Sequence, residues 1–173
     1  MRHLFLLRHA KSSWDDPSVA DFDRPLNGRG RQAARRMGAH LRAAKASPDL
    51  VLCSAARRTR ETLDGVGTAV GGAEIRFDRG LYAATPDRLL AALHGVEDRF
   101  RRVLLIGHNP GLERLAGVLV GEAGEADILA RMRGKFPTGA LAVLVTDIAA
   151  WTALGPGACR LAAFVRPDDL KEE

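Results

Sequence analysis

Three short runs of apolar residues, at positions 3–7 (HLFLL), 50–53 (LVLC) and 103–106 (VLLI), do not alternate with polar residues. A strand with one wet face alternates, so an unbroken run of this length describes a strand covered on both faces, as in a parallel sheet between helices. The segments between the runs carry a helical period. After Asn27, a plausible cap, Ala33, Ala34, Met37, Leu41 and Ala44 fall on one side while Arg31, Arg35, Arg36 and Arg42 take the wetter one. Leu63, Val66 and Val70 continue an apolar face after Ser54, with Gly71 and Gly72 as its stop. Thr85-Pro86 reads as a cap followed by a first-turn proline, with Leu89, Leu90 and Leu93 inward. Asn109-Pro110 repeats that start ahead of Leu112, Leu115, Ala116 and Leu119.

Residues 75–77 add a short edge strand, 141–145 a further buried strand, and 159–165 one at an edge, where Arg160 and a polar tail interrupt the apolar pattern. The glycines at 121 and 124 break the chain between elements. Strands separated by helices predict an α/β fold, a three-layer α/β/α sandwich around a mostly parallel sheet. With neither repeat nor linker, residues 1–173 read as one domain.

Chemistry gathers at three strand ends: Arg8-His9 after the first, Ser54 to Arg58 after the second, and Gly107-His108-Asn109 after the third. Open α/β sheets bind ligands outside the carboxyl ends of their strands, so these distant segments are expected to converge on one anion-sized pocket. The polar stretch holding Ser12, Trp14, Asp16, Asp21, Asp23 and Pro25 reads as a loop.

Lys and Arg number 26 against 21 Asp and Glu, a formal charge of +5, which favours anionic partners. Acids interrupt the positive residues and aromatics make up 5% of the chain without a basic-aromatic platform, so nucleic acid is not expected as a partner. Cys53 and Cys159 stand in apolar, strand-like contexts and are expected as buried thiols in a reducing cytoplasm. The apolar start is too short for a signal peptide, and no stretch reaches eighteen apolar residues, so neither export nor a membrane span is expected.

The three strand-end motifs, in this order, resemble those of the histidine phosphatase superfamily, also called the phosphoglycerate-mutase-like fold. Leu7-Arg8-His9-Ala10-Lys11-Ser12 is similar to the family's Leu-Arg-His-Gly start, with alanine in the glycine position. The segment from Ser54 to Thr62 is similar to its second motif and puts the phosphate-binding arginine at Arg58, with Arg57 the neighbouring register. Gly107-His108-Asn109-Pro110-Gly111 resembles the segment carrying the second histidine. Residues 23–27, 81–86, 136–141 and 166–170 extend the resemblance over nearly the whole chain, toward the small phosphohistidine phosphatases.

That resemblance implies His9 as nucleophile, forming a phosphohistidine that water then hydrolyses, with Arg8 and Arg58 on the phosphoryl oxygens and His108 donating where charge accumulates. Ser12 is a candidate phosphate contact or a turn residue. Asp15 departs from the asparagine of many relatives, and its carboxylate would repel phosphate unless turned away. The proton donor of mutase and broad phosphatase relatives has no clear equivalent. Asp87 is the nearest candidate and otherwise a first-turn acid favoured by the helix dipole; Glu113 is a weaker one.

The implied substrates are a phosphohistidine-bearing phosphorelay protein or, as the alternative, a small phosphorylated metabolite such as a phosphosugar. The third reading is a non-enzymatic anion-binding protein. A monomer needing no cofactor and no metal is expected, since His9 and His108 lack paired ligand motifs and a carboxylate cluster. A cysteine phosphatase does not fit: its loop places five residues between cysteine and arginine, whereas four separate Cys53 from Arg58.

Overall fold

The computed structural model describes residues 1–171. The first apolar run extends to β1 (Arg2–Arg8), the second becomes β2 (Leu50–Ser54), and the third becomes β4 (Arg102–Gly107). The weaker run at 75–77 is β3 (Glu74–Asp78), and the last two strands are β5 (Leu141–Thr146) and β6 (Arg160–Val165). Hydrogen bonding orders them β3-β2-β4-β1-β5-β6. Pairing is parallel from β3 through β1 and antiparallel on both sides of β5, so β5 alone runs against the rest. The sheet is mixed but mostly parallel, and β3 and β6 are its edges, as the sequence leads one to expect.

Successive residues of β1 point to opposite layers, because the side-chain period of a strand is two. Leu4 and Leu6 pack with α3 (Pro86–His94), α4 (Gly111–Val120) and α5 (Ala126–Gly134) through Leu89, Leu93, Leu112, Leu115, Leu119, Leu129 and Met132. Phe5 and Leu7 pack with α1 (Gly28–Ala43) and α2 (Arg57–Val66) through Met37, Leu41, Leu63 and Val66. This is the three-layer sandwich, with helices on both faces.

Three boundaries differ from the sequence reading. α2 stops at Val66, before Gly71, because Gly67 takes a φ of 60°, open to glycine but costly for other residues; a 3-10 turn over 67–70 then carries Val70 into the core. Pro110 is the cap of α4 and not its first helical residue, while the Asn109 Oδ1 accepts from the Glu113 N–H at 3.2 Å. α5 was not foreseen at all. No helix among the described residues is long and apolar enough to cross a membrane.

The strand order opens a crevice. From β1 the chain crosses β4 to reach β2, and from β4 it crosses β1 to reach β5, so the two connections leave in opposite directions. Such a switch point parts the loops at the carboxyl ends of the two central strands and is where α/β sheets hold ligands. Those ends are Arg8 and Gly107, which the register sets side by side.

Candidate active site

His9 and His108 follow directly from the paired residues Arg8 and Gly107, and both are buried. Their rings lie 5.2 Å apart between centroids, tilted by 50°. The His9 N–H donates to the Gly107 carbonyl at 3.1 Å, locking one strand end to the other. The loop beyond is pinned by α1. The Asn27 N–H donates to the Lys11 carbonyl at 3.0 Å, Asn27 caps the helix by accepting from Gly30 N at 2.8 Å, and a Cβ at residue 30 would overlap that same carbonyl.

The tautomer of His9 follows from its partner. Nδ1 lies 2.7 Å from the Ala10 carbonyl, which can only accept, so the ring proton sits on Nδ1 and Nε2 keeps its lone pair. Burial pushes the ring's pKa down to about 3, the Ala10 carbonyl opposes this, and His108, Arg58 and Arg8 push the same way as burial by disfavouring a second positive charge. His9 is therefore neutral at physiological pH, with its Nε2 unprotonated. Arg58 directs its Nε toward that nitrogen from 3.4 Å.

Arg58 is buried near the start of α2, whereas Arg57 is exposed and pairs with Glu61 at 3.5 Å. The helix phase thus brings Arg58 to His9. Thr62 fastens this arrangement: its hydroxyl donates to the Arg58 carbonyl at 2.7 Å and accepts from the Ala10 N–H at 2.9 Å, tying the helix to the His9 loop.

Arg8 donates through Nη1 to the Phe136 carbonyl at 3.1 Å, and the Asn109 side-chain amide donates to the same oxygen at 2.9 Å. At the far side of this turn the Gly139 N–H donates to the carbonyls of Arg8 and His9, at 3.2 and 2.9 Å. The Arg8 Nε is buried without a hydrogen-bond partner.

His108 shares a 2.8 Å hydrogen bond between its Nε2 and the Ser54 hydroxyl, which already accepts from the Ala56 N–H. If Ser54 donates its single proton to Nε2, the ring proton sits on Nδ1, an atom buried without a partner. Burial, then Arg58, pushes the His108 pKa down to about 4, with Asp21 opposing. An unpaired buried donor costs about 1–3 kcal/mol. An anion taking hydrogen bonds from Arg8 and His108 would recover that cost.

Ser12 is buried, and its hydroxyl accepts from Arg24 Nη1 at 2.7 Å, so its visible task is to hold Arg24. Asp87 is exposed in the first turn of α3 and makes none of the hydrogen bonds or ion pairs of the histidine-arginine cluster. Glu113 is exposed in the first turn of α4, and its charge reaches Arg8. Asp15 is exposed, with its N–H bonded to the Ser13 hydroxyl at 3.1 Å. Cys53 and Cys159 are both buried free thiols. Burial pushes the Cys53 thiol up to about 12, far from a reactive thiolate. Among the described residues, no cluster of three or more His, Cys, Asp or Glu side chains is placed to hold a metal.

Two residues that sequence reasoning missed complete the cluster. The Asp21 backbone carbonyl accepts from Arg58 Nη1 at 2.7 Å, and its carboxylate accepts from Arg58 Nη2 and Arg24 Nε, both at 3.1 Å. The Tyr82 hydroxyl donates to the same carboxylate. The Tyr82 ring stands edge-on to His108, 5.4 Å between centroids. These partners, Tyr82 first and then Arg24 and Arg58, hold the Asp21 carboxyl down to about 2 despite some opposing desolvation. The geometry gathers a neutral imidazole, two arginines whose charges reach it, a second histidine and an ionised carboxylate at the carboxyl ends of the central strands, side chains of the kind that displacement at an anionic phosphorus centre uses.

A family model for the histidine phosphatase superfamily (branch 1) matches residues 4–85. An uncharacterized Mycobacterium tuberculosis protein, Rv1276c, is 38% identical over 162 residues, covering 93% of this chain and 99% of the relative. Two solved structures, each described as a putative phosphohistidine phosphatase SixA, share 32% identity each. The Nakamurella multipartitia structure superposes with a TM-score of 0.84 over 96% of both chains. That from Agrobacterium tumefaciens does so with a TM-score of 0.81 over 96% of this chain and 98% of its own.

Proposed function

This chain belongs to the histidine phosphatase superfamily, and from that premise we propose that it is a phosphohistidine phosphatase, removing the phosphoryl group from histidine in a phosphorelay protein. The observation that carries the reading is the carboxylate bonded to the cluster, which accepts from Arg58, Arg24 and Tyr82 and is thereby committed as an acceptor. Asp21, held at a pKa of about 2, has no proton to give near neutrality. A sugar or alkyl phosphate must expel an alkoxide and needs such a proton; a phosphohistidine expels an imidazole, which can bring its own because free histidine titrates near 6.5.

In the proposed reaction Nε2 of His9 attacks phosphorus while the bond to the substrate imidazole breaks, its electron pair passing to that ring. The charge on the phosphoryl oxygens rests on Arg8, Arg58 and His108. Water then attacks the phosphoryl-His9 intermediate, the new oxygen–phosphorus bond replacing the bond to Nε2, whose electron pair returns to the ring; a water proton passes to a phosphoryl oxygen and inorganic phosphate leaves. No metal or cofactor enters this scheme. A reducing cytoplasm accords with the two free buried thiols. The alternative, a phosphomonoesterase for small metabolites such as phosphosugars, draws on Glu113, whose charge reaches Arg8.

The experiment compares phosphate release from a phosphohistidine protein with release from matched phosphoserine, phosphotyrosine and metabolite phosphates, with His9→Ala as the blank and chelator present and absent. Selective turnover of phosphohistidine, lost in the variant and indifferent to chelator, is expected. Fast metabolite turnover with little phosphohistidine release refutes the substrate; inhibition by chelator reversed by one metal refutes metal independence.

A further inference from the structure

Resting on the phosphohistidine reading, we propose that Asp21 is a specificity-determining residue: with Tyr82 it forms the rim past which the leaving group departs, and its carboxylate selects a leaving group that carries an N–H. The argument starts from depth. His9 is 7% exposed, whereas the Asp21 side chain is 48% exposed, and both bond to the one Arg58 guanidinium, through Nε and Nη2 respectively. The carboxylate therefore stands nearer the cleft mouth than the nucleophile. A phosphoryl group attacked by Nε2 from the floor has its leaving atom on the opposite, outward side, and Asp21 and Tyr82 border that path.

The rim is built, not incidental. Arg58 and Arg24, both with side chains 8% exposed, hold the carboxylate from two sides. Tyr82 bonds it from a third, its ring flanked edge-on by His108 and by Phe22 at 5.0 Å. Arg24 is itself fixed by the Ser12 hydroxyl and lies 3.5 Å above the Trp14 ring. Oδ2 takes two donors, Arg58 and Tyr82, while Oδ1 takes Arg24 alone. A carboxylate oxygen can accept about two hydrogen bonds, so one position on Oδ1 stays free at a half-exposed group. A carboxylate serving only to neutralise two buried arginines gains nothing from such exposure.

The chemistry follows from charge. An imidazole bound to phosphorus at one nitrogen carries a proton on the other near neutrality, and a fixed anion beside it favours that protonated form. When the phosphorus–nitrogen bond breaks, the electron pair returns to the ring and the proton stays, so neutral imidazole departs without an enzyme acid. A leaving phenolate or alkoxide lacks an N–H to offer Asp21 and meets a negative charge instead.

The test uses the whole chain and three variants, Asp21→Asn, Asp21→Glu and Tyr82→Phe, each checked for a native circular dichroism spectrum and thermal transition. Two quantities are read: kcat/KM on a phosphohistidine protein relative to p-nitrophenyl phosphate, whose leaving group has no N–H, and the Kd for tungstate, an oxyanion with no leaving group. For Asp21→Asn the phosphohistidine/aryl ratio is expected to fall at least tenfold, with Asp21→Glu recovering part of it and Tyr82→Phe moving it in the same direction by less. Tungstate affinity is expected to change by much less than the ratio. Equal losses on both substrates that track a loss of tungstate affinity would overturn the inference, leaving Asp21 as a positioning residue for Arg58. Should the parent enzyme itself fail on phosphohistidine, the functional reading falls, and this inference with it; a failure confined to the variants counts against the inference alone.

Discussion

Lowering the pH from 8 to 5 should strip this fold of stability in an amount set by two side chains. An unfolded chain protonates histidine near pH 6.5, but the folded one withholds the proton from His9 until about 3 and from His108 until about 4, chiefly because burial disfavours the charged ring. Above pH 7 both rings are neutral in both states and the difference vanishes. As pH falls below 6.5 the unfolded state binds the extra protons, so folding stability falls with it. At pH 5 each ring costs about 2 kcal/mol and the pair about 4 kcal/mol, with a local slope of about 2.5 kcal/mol per pH unit. The figure at pH 5 is insensitive to how far below 5 the folded values lie, because neither ring is then charged in the folded state. With a urea dependence of about 2 kcal/mol per molar, the unfolding midpoint moves down by about 2 M. His3 and His40 are also lowered, with burial the first cause, so the informative quantity is the contrast with His9→Asn/His108→Asn, whose loss between pH 8 and 5 should be smaller by about 4 kcal/mol. Urea titrations at the two pH values decide it. Equal losses in parent and double variant would refute a neutral, desolvated histidine pair.

Arg58→Lys keeps a charge but loses the fork that serves Asp21, His9 and an incoming phosphoryl group, so steady-state kinetics should show kcat/KM down about a hundredfold or more, an oxyanion-donor scale of loss. Arg57→Ala, which removes an exposed pair with Glu61, should stay within about threefold and cost under about 1 kcal/mol of stability. Cys53→Ser should keep most of the activity, because the thiol is buried, pushed up to about 12, and its hydrogen bonds go to the Ser54 carbonyl and Thr59 and not to the histidine-arginine cluster; abolished turnover with an intact thermal transition would return the cysteine to contention.

What the sequence made legible was local and periodic. Arg8, His9 and His108 could be placed because unbroken apolar runs announce buried strands, and a strand in such a sheet delivers the next residue to a known end. Arg58 rests on the resemblance of the Ser54–Thr62 segment, which leaves Arg57 as the neighbouring register; the helix phase decides between them, since Arg57 faces solvent. Asp21 left no such trace. It sits in a 3-10 turn within a polar loop, and its bonds reach Arg58 and Tyr82, which are 37 and 61 residues away in the chain. Nothing periodic separates it from Asp16 or Asp23. α5 escaped for a related reason: it starts at Ala126, its cap residue Glu125 makes no side-chain capping bond, and Leu129 and Met132 are its only buried residues. Gly67 was passed over as the end of α2 in favour of a glycine pair, although the positive φ is at Gly67.

The most direct test of the account is the covalent intermediate. The protein is mixed with a labelled phosphohistidine substrate, quenched in base within milliseconds, where phosphohistidine survives, and mapped by peptide mass spectrometry. Label on Nε2 of His9, appearing and decaying at rates that match turnover and absent from His9→Asn, is the predicted result. Turnover with no phosphoenzyme, or with label on another residue, would contradict the assignment of His9 as the nucleophile.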